Sequence, residues 1–69
     1  SSDVCSSDLE PVVTEAIAAN DGAVADYLKG KDTAIRFLVG QVMKLTRGQA
    51  NPEMVAQVLK EKLDAMRDK

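Results

Sequence analysis

The chain has 69 residues, a net charge of −2 and an apolar share of 45%, with an aromatic share of only 3%. This length allows one small domain with a net stability of about 3–5 kcal/mol, and the aliphatic composition favours helix packing over a β-sandwich. Histidine is absent and cysteine occurs once, which excludes an internal disulfide and argues against a zinc site. The composition predicts an all-α fold, a small bundle of three or four helices.

Residues 1–9 nearly repeat one four-residue pattern on either side of Cys5 and show no helical period. We expect this segment to be a disordered or non-native leader, and residues 10–69 to form the helical domain. Cys5 has no basic or metal-ligating side chain near it in sequence, so we expect no function for its thiol. The chain has no apolar run of the ~18–20 residues that a membrane span needs, and no secretory signal pattern, which favours a cytoplasmic location.

Two short helices are predicted before residue 30. The first begins at Glu10, with Pro11 in its opening turn, and is closed by Asn20. Asp21 is predicted to cap the second helix, and Gly30 to end it in the left-handed conformation. Both helices carry apolar residues at helical spacing: Val13, Ala16, Ile17, Ala23, Val24, Tyr27 and Leu28. We expect the last two of these to point into the core.

The third predicted helix runs from Asp32, as its N-cap, to Arg47, and Gly48 stops it. At about 100° per residue, an apolar arc and a polar stripe fall on opposite sides of this helix. The arc that we expect to be buried consists of Ile35, Leu38, Val39, Val42 and Leu45. The polar stripe consists of Arg36, Gly40, Lys44 and Arg47.

The loop 48–52 predicts a tight connection to a fourth helix. Gly48 accepts a positive φ, Asn51 caps the next helix, and Pro52 takes its first position, where an N–H group is not needed. The fourth helix carries an apolar stripe at helical spacing, formed by Val55, Val58, Leu59, Leu63 and Met66. We expect this stripe to pack against the third helix in an antiparallel core.

Catalytic chemistry is poorly supported by these residue types. No histidine can act as a base, and serine occurs only within residues 1–9, which argues against nucleophilic catalysis. The carboxylates of the last predicted helix resemble ordinary solvated charges, and the glycines are too dispersed for a phosphate loop. We therefore expect no catalytic residue and no metal site in this chain.

A signature of fixed glycine, asparagine and proline positions spans residues 37–52. It consists of Phe37, Leu38, Val39, Gly40, Gln41, Val42, Met43, Lys44, Thr46, Gly48, Ala50, Asn51 and Pro52. This signature resembles the C-terminal tail of the B subunit of the aspartyl/glutamyl-tRNA amidotransferases, which is shared with YqeY-like proteins. A looser resemblance extends from Glu10 to Leu63.

The resemblance implies a tRNA-binding fragment of an ATP-dependent, glutamine-using ligase of protein biosynthesis. That enzyme converts misacylated Asp-tRNA(Asn) or Glu-tRNA(Gln) to the amide form. ATP and Mg²⁺ would act in the N-terminal portion of the B subunit, so no cofactor is expected here. The implied partners are tRNA and, through that portion, the amidase subunit and the small third subunit of a heterotrimer.

The middle of the chain is basic although the whole is acidic. Residues 27–49 carry five cations and one carboxylate, a net charge of +4, whereas residues 1–26 carry six carboxylates and no cation. The candidate tRNA-binding residues are Lys29, Lys31, Arg36, Lys44 and Arg47. On spacing alone a solvated surface is the better interpretation, and the resemblance reverses that preference.

Two residues beside these cations leave alternatives open. Gly40 stands inside a predicted helix, which indicates either close packing of another helix or close approach of a nucleic-acid backbone. Phe37 either stacks on a base or ribose, or packs under a neighbouring helix. The alternatives for the whole chain are a stand-alone YqeY-like helical module that binds a protein and a merely structural appendage.

Overall fold

The computed structural model describes residues 9–67, and this part of the chain contains four α-helices and no strand. The helices are α1 (Leu9–Ala19), α2 (Asp21–Leu28), α3 (Asp32–Thr46) and α4 (Pro52–Arg67). The predicted all-α bundle is confirmed. None of these helices is both long and apolar enough to cross a membrane. The predictions for Cys5 and the rest of residues 1–8 lie outside the described residues.

The starts of the first three helices differ from prediction by one residue. α1 begins one residue earlier than expected. The predicted caps of α2 and α3 are wrong, because Asp21 and Asp32 are the first helical residues and the N-cap positions fall on Asn20 and Lys31. Neither N-cap side chain bonds to its helix. The two carboxylates instead lie in the first turns, where they interact favourably with the helix dipole.

Asn20 explains why α2 has no side-chain cap. Its side-chain Nδ2 donates a hydrogen bond to the carbonyl oxygen of Ala16 at 2.9 Å, which ties it to the end of α1. Its own carbonyl oxygen accepts from the backbone N–H of Val24 at 3.1 Å, within the first turn of α2. One residue thus joins the two helices, and its side chain is already occupied.

The core lies around α3, which contacts each of the other three helices. A row at four-residue spacing, Ala34, Leu38 and Val42, forms the buried side of α3, and we call it the inner row. The buried cluster contains Val13, Ala16, Ile17, Val24, Leu38, Val42, Val55, Leu59 and Leu63. Tyr27 and Leu28 pack against it, as predicted.

Two predictions about the core are wrong. The sequence predicts that Leu45 and Met66 are buried, but they are 49% and 48% exposed. Each has a suitable angle around its helix but lies in the last turn, where the described neighbours leave about half of it exposed. The other predicted core positions of α3 and α4 are buried or partly buried: Ile35, Leu38, Val39, Val42, Val55, Val58, Leu59 and Leu63.

The predicted turn residues on either side of α3 are confirmed, but α3 ends at Thr46, one residue before its predicted end at Arg47. Gly30 has a φ of 112° and Gly48 has a φ of 77°, so both adopt the positive φ that glycine tolerates best. Asn51 caps α4, because its Oδ1 accepts a hydrogen bond from the backbone N–H of Glu53 at 3.1 Å. Pro52 is the first residue of that helix. These turns place α2 and α4 against α3 and leave one side of α3 open.

Candidate nucleic-acid interface

The open side of α3 carries the polar stripe that the sequence predicts. We call this set the outer stripe, and it consists of Arg36, Gly40, Lys44 and Arg47, all of them exposed. The first three follow one another at four-residue intervals, about 6 Å apart along the helix axis and about 40° apart around it. The inner row occupies the opposite side of the same helix, so the outer stripe is free of the packing that holds the domain together.

The cations of the outer stripe form no ion pair with a described carboxylate, although Asp32 lines the same groove as Arg36. The ion pair found in the described part of the chain joins Lys62 Nζ and Glu10 Oε1 at 3.5 Å, far from the stripe in sequence. None of the five candidate cations forms an ion pair with a carboxylate of residues 9–67. Because all five are exposed, their charges are available to an anionic ligand.

The structure does not bring all five candidate cations into one groove. Lys31 lines a groove between α2 and α3 together with Phe37 and Asp26. Arg36 lines a second groove, together with Lys60 of α4. Thr33 borders both grooves, so the start of α3 separates them. The connection between α2 and α3 and the outer stripe are therefore two neighbouring basic regions.

Lys60 is a candidate that sequence reasoning missed. It belongs to α4, and packing brings it to the groove that Arg36 lines. Nothing in the local pattern around Lys60 distinguishes it from the other charged residues of α4. Only the placement of α4 against α3 adds this cation to the candidate interface.

An apolar side chain lies beside the outer stripe. Phe37 is 50% exposed and follows Arg36 directly on α3, whereas Leu45, which is 49% exposed, lies in the last turn at an angle on the side of the inner row. Phe37 lies beside the cations as predicted, on the rim of the groove between α2 and α3 rather than inside the core. The open side of α3 therefore offers cations and apolar surface next to each other.

The outer stripe contains two residues that reduce local stability. Gly40 stands in the middle of α3, where glycine costs about 1 kcal/mol relative to alanine. No side chain or other helix lies within 4 Å of the position that its Cβ would occupy, so close packing within the described domain does not explain it. Arg47, the C-cap of α3, has φ 58° and ψ 37°, a left-handed conformation that costs an L-residue about 1–2 kcal/mol.

Comparison with known proteins assigns the family. The sequence profile of the GatB domain matches residues 3–63. The chain belongs to the GatB domain family. This confirms the resemblance carried by the signature at residues 37–52. No solved structure matches the chain.

Three relatives of this GatB domain are each named as the B subunit of aspartyl/glutamyl-tRNA(Asn/Gln) amidotransferase. The chain is 61% identical to the protein of Carboxydothermus hydrogenoformans over 56 residues, which is 81% of this chain and 12% of that protein. It is 58% identical to the protein of Herpetosiphon aurantiacus over 60 residues, 87% of this chain and 12% of that protein. The relative from Methanocaldococcus jannaschii is 57% identical over 56 residues, again 81% of this chain and 12% of that protein. The chain thus spans a small part of its relatives' length.

Proposed function

We propose that this GatB domain binds tRNA through the outer stripe of α3, as part of the B subunit of an aspartyl/glutamyl-tRNA amidotransferase in the cytoplasm. The observation that carries the proposal is the exposure of Arg36, Lys44 and Arg47 on one side of α3, with no ion pair to a described carboxylate. The relatives' names specify tRNA as what the whole enzyme acts on. A polyanion is the ligand that such a surface suits best.

Phosphate contacts would let the domain hold and orient tRNA without reading its bases. Arginine and lysine bond to phosphate oxygens that every tRNA presents, so such contacts fix position but carry no sequence information. The net charge of −2 does not prevent this, because the carboxylates concentrate in residues 1–26 and the basic middle has a net charge of +4. The contribution of the domain would be to raise the local concentration of the substrate at an active site elsewhere.

The chemical steps would take place outside these 69 residues. This chain has no histidine, and its nucleophilic serines are confined to residues 1–7. ATP and Mg²⁺ would serve a different portion of the B subunit, and glutamine hydrolysis would occur on the amidase subunit of a heterotrimer. The product would be Asn-tRNA(Asn) or Gln-tRNA(Gln), which are used in translation.

The proposal is tested by removing two cations without disturbing the core. We expect the double variant Arg36→Gln/Lys44→Gln, in the complete enzyme, to weaken tRNA binding at least about tenfold, because two charge-assisted hydrogen bonds are lost. The plot of log affinity against log salt concentration should become shallower by about 1.4–1.8. The loss should be similar for tRNA(Asn) and tRNA(Gln), because phosphates carry no base information.

A charge-matched control uses two exposed or partly exposed cations of α4. The variant Lys62→Gln/Arg67→Gln removes the same charge from another part of the domain and breaks one surface ion pair of little energetic value. It should bind tRNA with nearly the affinity of the unaltered enzyme. Equal losses of tRNA affinity in the two double variants would show that binding depends on the overall charge of the domain and not on the outer stripe in particular. Normal binding in both variants would remove the proposed function.

A second candidate function is docking to a protein, as in a YqeY-like interaction module. The observation that favours it is the exposure of four large apolar residues within residues 9–67: Phe37, Leu45, Met54 and Met66. If the variant Phe37→Ser/Leu45→Ser disrupts assembly with the other subunits while the cation variants bind tRNA normally, the domain is a protein-binding module. Assembly can be followed by gel filtration.

A further inference from the structure

Gly40 is an unfavourable residue for the middle of a helix, and it lies within the outer stripe of α3. Glycine loses more conformational freedom than alanine when a helix forms, so alanine would be the more stable residue at this point of α3. The backbone does not require glycine, because a positive φ occurs only at Gly30, Arg47 and Gly48 among the described residues. The surroundings do not require it either, since a Cβ at Gly40 would meet nothing within 4 Å.

The neighbours of Gly40 on the helix surface indicate what could lie over it. Arg36 precedes it by one turn and Lys44 follows it by one turn, and both side chains are exposed. They leave a shallow gap in which a ligand can approach the helix backbone between two positive charges. An apolar helix of a partner protein would bury both cations without a counter-charge, which is costly. A chain of phosphates would neutralise them.

Gly22 shows that the charge around Gly40 is particular to this position. Gly22 is also an exposed glycine inside a helix, and a Cβ there would likewise meet nothing within 4 Å. It lies beside Asp21 and has no cation within one turn in either direction. Gly22 lies in the first turn of α2 and Gly40 in the middle of α3, so the two glycines share open space for a Cβ and differ in electrostatic surroundings.

Arg47 is a second place where the outer stripe keeps a residue that opposes local stability. It adopts a left-handed conformation directly before Gly48, although glycine or asparagine is the residue that this conformation favours. A cation is thus retained at a strained position at the end of the same stripe. Local costs of this kind concentrate where a surface contacts a ligand.

We infer that Gly40 is the point of closest contact between α3 and the sugar–phosphate backbone of bound tRNA. Arg36 and Lys44 donate hydrogen bonds to phosphates on either side of it. The absent side chain lets the RNA strand approach the helix closely enough for both cations to reach their phosphates. This inference rests on the proposed tRNA binding and adds a steric determinant to the charged one.

The test uses two substitutions at Gly40 and one at Gly22. We expect Gly40→Ala to raise the melting temperature of the 69-residue chain by about 4–8 °C, since the helix gains a better helix former. The same substitution in the complete enzyme should weaken tRNA binding about tenfold, and the longer side chain of Gly40→Gln should weaken it further. The control Gly22→Ala should leave tRNA affinity unchanged. A more stable domain that binds more weakly is the expected signature.

Each other outcome has a defined meaning. If both Gly40 variants bind tRNA normally while Arg36→Gln/Lys44→Gln binds weakly, the proposed function stands and the inference about Gly40 is overturned. If that double variant also binds normally, the proposed function itself fails. A lower melting temperature of Gly40→Ala would overturn the inference by showing a structural need for glycine. Loss of subunit assembly with unchanged tRNA affinity would overturn it in favour of a protein contact.

Discussion

The two sides of α3 divide stability and surface chemistry between them. The inner row is buried, with exposures of 7% at Ala34 and 0% at Leu38 and Val42, and the last two belong to the core cluster. The outer stripe is exposed, makes no ion pair with a described carboxylate, and includes a glycine and a left-handed arginine that both reduce local stability. Because the inner row holds the helix in place, the outer stripe is free to carry residues that suit a ligand.

The largest effect is expected from a cavity in the inner row. We predict that Leu38→Ala lowers the free energy of unfolding by about 2–5 kcal/mol, because Leu38 is fully buried. For a domain of this size that loss approaches the whole stability of about 3–5 kcal/mol. Urea denaturation followed by circular dichroism would show a largely unfolded chain at 25 °C. A cooperative transition close to that of the unaltered chain would contradict the central role of the inner row.

A smaller loss is expected when the turn that brings α4 onto the inner side of α3 is strained. We predict that Gly48→Val lowers the free energy of unfolding by about 1–2 kcal/mol, because a β-branched residue is poorly accommodated at positive φ. A Cβ at Gly48 would meet nothing within 4 Å, so the loss of unfolding free energy would come from backbone strain rather than from a steric clash.

The control for this turn is Gly48→Asn, since asparagine tolerates the left-handed region better than valine. Thermal melts of the two variants should show a smaller loss for asparagine. Identical midpoints for valine, asparagine and glycine would remove the case that a positive φ at residue 48 limits stability.

The smallest effect is expected from a leucine on the same helix that lies outside the core. We predict that Leu45→Ala changes the free energy of unfolding by no more than about 0.5 kcal/mol, because its side chain is half exposed. Leu38→Ala removes the same atoms from α3, so the pair isolates burial from side-chain chemistry. A loss at Leu45 as large as that at Leu38 would contradict the half-exposed position of Leu45.

Much of the fold and of the candidate site follows from local sequence. The cap at Asn51 and the positive φ of Gly48 depend on a few neighbouring residues, so residue type predicts both. The exposure of Arg36 and Lys44 follows from helical periodicity, because an apolar arc on one side forces the other side outward. The predicted N-caps at Asp21 and Asp32 are wrong because a carboxylate suits both the cap and the first turn.

The sequence by itself determined the helical class, the order of the helices, the family and the polar side of α3, because these depend on composition, periodicity and a short signature. Tertiary structure alone decided which turns of each helix are covered by the other helices. For this reason Leu45 and Met66 are exposed despite their favourable angles. It also placed Lys60 with Arg36 and left the space above Gly40 open. These features depend on how separate helices lie against one another, and the period of a single helix specifies an angle but not a neighbour.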